Sequence, residues 1–147
     1  EGMLVSFGRC CYPIPGDPIM GYLSTGRGIV IHREHCSNLE NFRKHPQKWI
    51  NVSWRGDTSE EFLTRITVMS ENKMGILAEV AAAISATKSN IEQVDVNERD
   101  PGQSTITFYV HVRDRNHLEQ IMQAVRTMPK VRDVVRYTNE SVINHDE

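Results

Sequence analysis

The sequence predicts two successive α+β modules, a small one dense in turns and a larger one ordered strand, helix, strand, strand, helix, strand. All three cysteines lie in the first quarter of the 147 residues, where prolines and glycines also crowd together. From residue 62 onward, apolar residues repeat with a period of two in some segments and of about 3.6 in others. Residues 1–57 carry a net charge of +2 and residues 58–147 one of −4. These changes indicate a domain boundary near residues 55–61.

The first module, residues 1–57, is predicted to hold short strands joined by turns. Apolar runs at residues 3–7, 19–23 and 28–32 predict three strands, with a hairpin turn at residues 24–28. The helical spacing of Cys36, Leu39 and Phe42 predicts a short helix, and Trp49, Val52 and Trp54 predict a final strand. A core of this size usually needs a metal, a disulfide or a partner to be stable.

The second module, residues 62–138, has clearer periodicity. Strands are predicted at residues 62–69, 90–99 (with a bulge), 104–112 and 131–137, with turns at residues 72–75 and 100–102. Helices are predicted around residues 76–84 and 118–125, and Asp114 is the expected cap of the second helix. This order is that of the ferredoxin-like unit, an antiparallel sheet with both helices on one face. The opposite face is expected to carry Thr64, Thr105, Thr107 and Tyr109 and to pack against a second copy. Residues 139–147 are predicted to form a flexible tail.

The composition excludes several classes of protein. A hydrophobic fraction of 39%, a mean hydropathy of −0.45 and the lack of any long apolar run argue against both disorder and a membrane span. A pI of about 6.3 does not indicate a strongly basic nucleic-acid binder. The start at Glu1, with no secretory signal, favours a segment of a longer cytoplasmic protein.

Four side chains form a candidate metal site: Cys10, Cys11, His32 and Cys36. Three thiolates and one imidazole are a common ligand set for Zn²⁺. Adjacent cysteines point to opposite faces of a strand, so both can bind one ion only if the chain turns at this point. The spacing alone leaves open the alternative that these are buried thiols that pack as small apolar groups. A catalytic cysteine is disfavoured, and no common catalytic or nucleotide-binding motif is present.

Two further features each allow a functional and an ordinary interpretation. Residues 72–77 link a strand to a helix start, where Gly75 and free amides could accept a carboxylate, or where the chain simply turns. In the first module, seven basic residues are interspersed with aromatic ones, which suits either an RNA-facing surface or solvated charge over a small core.

The residue pattern of both modules resembles a known family. Residues 9–21, which include the string Cys-Cys-Tyr-Pro-Ile-Pro-Gly-Asp, and residues 26–36 resemble the zinc-finger-like, or ribosome-intersubunit, module of long RelA/SpoT homologues. These are bacterial synthetases and hydrolases of the alarmone (p)ppGpp. Residues 62–138 resemble the ACT domain that ends those proteins, and residues 114–129 look closer to the SpoT branch.

The resemblance implies a regulatory, non-enzymatic segment that acts in the stringent response. The intact protein would carry N-terminal hydrolase and synthetase domains, the former using manganese at a site outside this chain. The metal-site positions of the family fall on Cys10, Cys11, His32 and Cys36, which implies zinc. The implied partners are a branched-chain amino acid, a second copy bound through the ACT domain, and the ribosome with tRNA. The implied amino-acid-binding residues are Asn72, Gly75, Ile76, Leu77, Asn90 and Ile91.

Overall fold

The computed structural model describes residues 4–39, 44–56, 59–98 and 101–136. These residues form two units that divide between Ser59 and Glu60. The fold class predicted from the sequence, α+β in both units, is confirmed by their elements. Among the described residues, no helix is long and apolar enough to cross a membrane.

The N-terminal unit is built on a four-stranded sheet. Its strands are β1 (Val5–Phe7), β2 (Ile19–Ser24), β3 (Gly28–Arg33) and β4 (Trp49–Ile50), in the order β1-β3-β2-β4. β1 runs parallel to β3, whereas the β2–β3 hairpin and the β2–β4 pair are antiparallel. Cys11, Cys36 and Leu39 form a small buried core, against which Cys10 and Trp49 pack. The three predicted strands and the hairpin turn are therefore confirmed.

The end of this unit differs from the prediction. β4 contains two residues only, and Val52 and Trp54 lie beyond it. The Trp54 indole stacks on Phe7, with ring centroids 5.8 Å apart, and its Nε1–H donates to the carbonyl oxygen of Asp17 at 2.9 Å. Trp54 is therefore held in the unit by its side chain and not by backbone hydrogen bonds to a neighbouring strand. The helix predicted through Phe42 extends into residues 40–43, which lie outside the described residues.

The C-terminal unit is a four-stranded antiparallel sheet with two helices. Its elements are β5 (Phe62–Glu71), α1 (Ile76–Ala86), β6 (Ile91–Asn97), β7 (Gln103–Val112), α2 (Arg115–Arg126) and β8 (Val131–Arg136). The strand order is β6-β7-β5-β8, which leaves β6 and β8 at the edges. A register shift between Ile91 and Gln93 confirms the predicted bulge. The predicted order of strands and helices is confirmed throughout.

The core of this unit lies between the sheet and the helices. Alternate residues of β5 and β7 are buried, including Ile66, Val68 and Phe108, and they share the core with Val80 and Ile121. Thr64 also lies on this buried face, fully inaccessible to solvent. The expectation that Thr64 lies on the open face with Thr105, Thr107 and Tyr109 is therefore wrong. Strict alternation from Phe62 places Thr64 in the core, whereas Tyr109 alternates onto the opposite face.

Candidate metal centre and ligand turn

A tight turn after β1 brings the two adjacent cysteines to one point. The Tyr12 amide donates to the carbonyl oxygen of Gly8 at 2.9 Å, and Tyr12 itself adopts a left-handed conformation with φ of 47°. The turn releases Cys10 and Cys11 from strand geometry, in which their side chains would diverge. The chain therefore turns at the cysteine pair, as it must if both side chains are to bind one ion.

The third and fourth members of the cluster come from β3 and the turn that follows it. His32 lies near the end of β3, and the Cys36 amide donates to the carbonyl oxygen of Arg33 at 2.9 Å, which folds the chain back after the strand. The ligand atoms of all four residues lie within 4.8 Å of one another. Three of the residues are buried, and Cys10 is half-buried.

The distances within the cluster suit a tetrahedral metal site. The Cys10 Sγ lies 3.3 Å from the His32 Nδ1, 3.4 Å from the Cys36 Sγ and 3.9 Å from the Cys11 Sγ. Tetrahedral Zn²⁺ with bonds of about 2.3 Å to sulfur and 2.0–2.1 Å to nitrogen would space its ligands about 3.5–3.8 Å apart. The donor set therefore fits zinc, and the distances from Cys10 fit it after shifts of a few tenths of an ångström.

Two residues that the sequence analysis did not single out support the cluster. A Cβ on Gly8 would lie 3.0 Å from the His32 Nδ1 and 3.3 Å from the Cys10 Sγ, so any side chain here would push on both donors. The Arg33 amide donates to the Cys11 Sγ at 3.3 Å, a contact of the kind that orients and stabilises a thiolate ligand. In the sequence, only the position of Gly8, two residues before the Cys-Cys pair, could have indicated its role.

The side chains of the cluster differ in how readily they lose a proton. Burial opposes a charge on His32, but its hydrogen bonds with Cys10 and Cys36 and the negative charge of these thiols raise the pKa of His32 to about 9. Hydrogen bonds from Cys11 and Cys36 lower the pKa of Cys10, and the same contact with Cys10 raises the pKa of Cys11. The contacts within the cluster thus favour ionisation of Cys10 over that of Cys11, and a bound cation would displace the remaining protons.

The Pro-Ile-Pro-Gly-Asp string gives the neighbouring loop its shape. Asp17 is 4% exposed, and its Oδ2 accepts a hydrogen bond from the Ile14 amide at 2.8 Å. The Arg33 Nε lies 3.8 Å from the same oxygen. Arg33 also donates its backbone amide to the Cys11 Sγ, so this one residue contacts both the loop and the cluster.

A polar pocket opens beside the cluster. Its volume is about 330 Å³, and its lining includes Arg9, Cys10, Arg27, His32 and Asn38. Arg9 and Arg27 are exposed basic residues that the sequence analysis assigned either to an RNA-facing surface or to ordinary solvated charge. The pocket therefore combines cationic side chains with the half-buried thiol of the cluster.

The predicted ligand turn has the expected backbone but fewer free groups. Gly75 precedes α1 with φ of 84°, and no side chain caps the helix. The Ile76 amide donates to the carbonyl oxygen of Lys73 at 3.1 Å, so the expectation that it is free for a carboxylate is wrong. The reason is that a turn hydrogen bond forms just before the helix and uses the amide that a simple helix start would leave free. Met74 is 97% exposed and Leu77 is 41% exposed, which leaves the outer side of the turn open.

The predicted ligand residues do not meet within one copy of the chain. Ile91 pairs with Val110 on β7, whereas Glu71, next to the turn, pairs with Gln103. At about 3.3 Å per residue these positions are roughly 20 Å apart along the sheet. Asn90 is exposed, and its carbonyl oxygen accepts a hydrogen bond from the His111 amide at 2.9 Å. Residues 72–77 and 90–91 therefore lie at opposite ends of the sheet.

Comparison with known families identifies both units. Residues 1–55 match the RelA/SpoT RIS domain, and residues 58–136 match the ACT domain. The chain belongs to the ACT domain family, and it carries a RelA/SpoT RIS domain before its ACT domain. Its RIS domain contains the cysteine and histidine cluster, and its ACT domain contains the turn at Gly75.

The RelA/SpoT relatives are long proteins. The chain is 42% identical over 139 residues to the bifunctional (p)ppGpp synthase/hydrolase SpoT of Escherichia coli K12, and 32% identical over 138 residues to the bifunctional (p)ppGpp synthase/hydrolase RelA of Mycobacterium tuberculosis. These alignments cover 95% and 94% of this chain but only 20% and 19% of the relatives. The chain thus spans about one fifth of the length of the relatives that it matches.

A solved structure resembles the ACT domain. It is the solution structure of the ACT domain from the GTP pyrophosphokinase of Chlorobium tepidum, with 28% sequence identity and a TM-score of 0.48. The match covers 54% of this chain and 89% of that one.

Proposed function

We propose that this chain is a regulatory segment of a bifunctional (p)ppGpp synthase/hydrolase, and that it controls the balance between the two activities in the cytoplasm. The observation that carries this proposal is the alignment of 95% of the chain with one fifth of a protein that has both activities. The catalytic domains, and the manganese of the hydrolase, would belong to the rest of the protein. The RIS and ACT domains would then transmit their state to those domains.

The proposed regulation is tested with a chimera. This chain replaces the matching fifth of the Escherichia coli SpoT relative, and synthesis and hydrolysis of (p)ppGpp are measured on the purified protein. We expect Cys36→Ser to change the ratio of the two rates, because it disturbs the RIS domain. Ser53→Ala, a change at an exposed position of the same unit, is the control. Equal rates for all three chimeras would contradict a regulatory role.

We propose that zinc holds the RIS domain together through Cys10, Cys11, His32 and Cys36. Their spacing supports this proposal, as do the room left by Gly8 and the amide of Arg33 directed at Cys11. Bound metal would supply cross-links that the small core lacks, because binding energy is folding energy in such modules. The metal would have a structural role, since all four tetrahedral positions are taken by protein ligands.

The zinc proposal is tested by metal analysis and tryptophan fluorescence. Both tryptophans of the chain, Trp49 and Trp54, lie in the RIS domain, so their emission reports its unfolding alone. We expect one zinc per chain, and loss of both zinc and a cooperative transition in Cys36→Ser. His35→Ala, which changes an exposed histidine next to the cluster, should keep both. A zinc-free protein with unchanged cooperative unfolding would restore the interpretation of three packed thiols.

We propose that the ACT domain dimerises and binds a branched-chain amino acid between two copies. The separation of residues 72–77 from Asn90 and Ile91 supports a site shared by two chains, because antiparallel pairing of β6 with its copy brings opposite sheet ends together. The turn would offer the Asn72 amide group and the open backbone at Gly75. Ile76, Leu77 and Ile91 would surround an apolar side chain of the ligand.

Calorimetry with valine, leucine, isoleucine and serine tests this ligand. The left-handed φ of Gly75 strains most side chains, so Gly75→Asn is a better variant than a β-branched residue. We expect Gly75→Asn to abolish the heat of binding. Gly26→Asn is the matched control, since Gly26 has a φ of 79° and open space around it in the other unit. Absence of heat with every amino acid at millimolar concentration would contradict amino-acid binding at this turn.

The pocket beside the metal cluster favours RNA docking as a second function. Arg9 and Arg27 could contact phosphates there, with ribosomal RNA or tRNA as the partner. We expect Arg9→Ala combined with Arg27→Ala to weaken tRNA binding and to reduce its dependence on salt. Arg115→Ala, an exposed arginine of the ACT domain, is the control. Equal binding by all variants would exclude this pocket as the RNA contact.

A further inference from the structure

The three thiols of the RIS cluster differ in their access to solvent. Cys11 and Cys36 are 1% and 3% exposed, whereas Cys10 is half-buried and lines the pocket of about 330 Å³. The same pocket is lined by the exposed basic residues Arg9 and Arg27, which give it the electropositive character in which cysteines are reactive. A small dissolved oxidant therefore reaches Cys10 before the other two sulfur atoms.

The cluster also contains a partner for an oxidised Cys10. The Cys36 Sγ lies 3.4 Å from the Cys10 Sγ, and the two residues are 26 positions apart in the chain. The Cys11 Sγ is farther away, at 3.9 Å. It also belongs to the adjacent residue, where a disulfide must distort the peptide between the two cysteines. Cys36 is thus the favoured partner for disulfide formation.

We propose that Cys10 is a site of oxidation by hydroperoxides and that it forms a disulfide with Cys36, which makes the RIS domain a redox-sensitive element. The inference rests on the proposed metal role of the same four side chains. It adds a modification chemistry to that role, in which the metal is released when two of its four ligands are joined.

The peroxide is the only oxidant that this reaction needs. The Cys10 thiolate attacks one peroxide oxygen, the O–O bond breaks, and an alcohol or water leaves while Cys10 becomes a sulfenic acid. The Cys36 thiol then attacks the Cys10 sulfur, the S–O bond breaks, and water leaves as the disulfide forms. Two electrons pass from the two thiols to the peroxide. Dithiothreitol reverses the change by thiol–disulfide exchange, after which the metal can bind again.

The test uses the full 147-residue chain loaded with zinc and treated with hydrogen peroxide. Zinc release is followed with a chromophoric chelator, and the oxidised cysteines are identified by peptide mapping under non-reducing conditions. We expect a Cys10–Cys36 link that forms together with zinc release, and full recovery after dithiothreitol and added zinc. A link between another pair, or irreversible oxidation with no link, would overturn the proposal.

A matched pair of variants separates the roles of the cysteines. Cys10→Ser and Cys11→Ser each remove one sulfur ligand, so both weaken metal binding in the same way. We expect Cys11→Ser still to form the Cys10–Cys36 link, and Cys10→Ser to react with peroxide about tenfold more slowly. Equal rates in the two variants would overturn the assignment of Cys10 as the first site.

The failure of the metal proposal can be distinguished from the failure of this one. If the purified chain contains no zinc and takes none up, the metal role is wrong. Peptide mapping of the reduced chain after peroxide treatment then decides the oxidation chemistry alone. A Cys10–Cys36 link in that case supports the thiol chemistry, and its absence overturns it.

Discussion

His117, in the first turn of α2, uses both of its ring nitrogens in hydrogen bonds, and one of them reaches Thr87 at the end of α1. The side chain is buried; its Nδ1 accepts a hydrogen bond from the Arg113 amide at 3.1 Å, and its Nε2–H donates to the Thr87 carbonyl oxygen at 2.9 Å. Only the neutral tautomer with a proton on Nε2 makes both contacts. Burial, and next the positive charge of Arg113, lower the pKa of His117 below its ordinary value of 6.5.

The neutral state of His117 predicts a stability change with pH. Because the folded pKa is lower than the unfolded one, the stabilisation is complete above about pH 6.5 and is lost as the pH falls through the folded pKa. We expect the Tm of the ACT domain to fall between pH 7 and pH 5, and to fall less in His117→Gln. The exposed His45 provides a control, since His45→Gln should retain the wild-type pH dependence. An imidazolium spectrum for His117 at pH 7 in nitrogen NMR would contradict the assignment.

Asp17 predicts a stability change in the RIS domain. Its buried carboxylate accepts the Ile14 amide and lies near the Arg33 guanidinium, so Asp17→Ala leaves buried polar groups without this acceptor. We expect a loss of about 1–3 kcal/mol in the free energy of unfolding, measured by tryptophan fluorescence in urea. Asp17→Asn keeps an acceptor oxygen and should lose less. Equal losses in both variants would assign the effect to charge and not to the hydrogen bond.

At the scale of elements, α2 shows how far local sequence signals determine the structure. Asp114 accepts a hydrogen bond from the His117 amide at 2.8 Å, as expected of a helix cap, and the helix begins at Arg115. Strict periodicity likewise predicted β5 and β7, although Thr64 was placed on the wrong face. The final strand of the first module was predicted, but its early end at Ile50 was not, because Trp54 is fixed by contacts with Phe7 and Asp17 that lie far away in sequence.

The candidate sites follow the same division between local and long-range information. The identity of the four cluster residues could be read from the sequence, but the turn that directs Cys10 and Cys11 to one point depends on Gly8 and on the left-handed Tyr12. The ligand turn at Gly75 was predicted by its local pattern. Its distance from Ile91 was not, since only the register of β6 on β7 determines it.

The cap of α2 gives the prediction at this scale. Replacing Asp114 by alanine removes the hydrogen bond to the His117 amide at the start of the helix. We expect the ACT domain to lose about 1 kcal/mol of unfolding free energy, measured by circular dichroism in urea. Thr127→Ala removes a side-chain hydrogen bond at the other, exposed end of the same helix and should cost less. A larger effect at Thr127 would show that the cap contributes little.

At the scale of the whole molecule, the ACT sheet has two different edge strands among the residues that the structure describes. On β6, Val96 is 50% exposed although it pairs with the buried Ile106, and the exposed Leu77 lies in the first turn of α1. On β8, Val135 is 40% exposed and pairs with Thr67, which alternates onto the open face of the sheet. A dimer that uses the β6 edge would cover Val96, whereas one that packs through the open face would cover Val135.

The last prediction uses this difference to determine how two chains associate. We expect the wild-type chain to be a dimer in analytical ultracentrifugation, Val96→Arg to be a monomer, and Val135→Arg to remain a dimer, because a buried unpaired charge is costly only at the interface. The reverse result would indicate packing through the open face, and a monomeric wild type at high micromolar concentration would contradict dimerisation. Since Glu71, next to the turn, and Ile91 lie roughly 20 Å apart along the sheet of one chain, Val96→Arg should also abolish amino-acid binding. Binding that persists in the monomer would place the ligand within a single ACT domain and exclude a site shared between two copies.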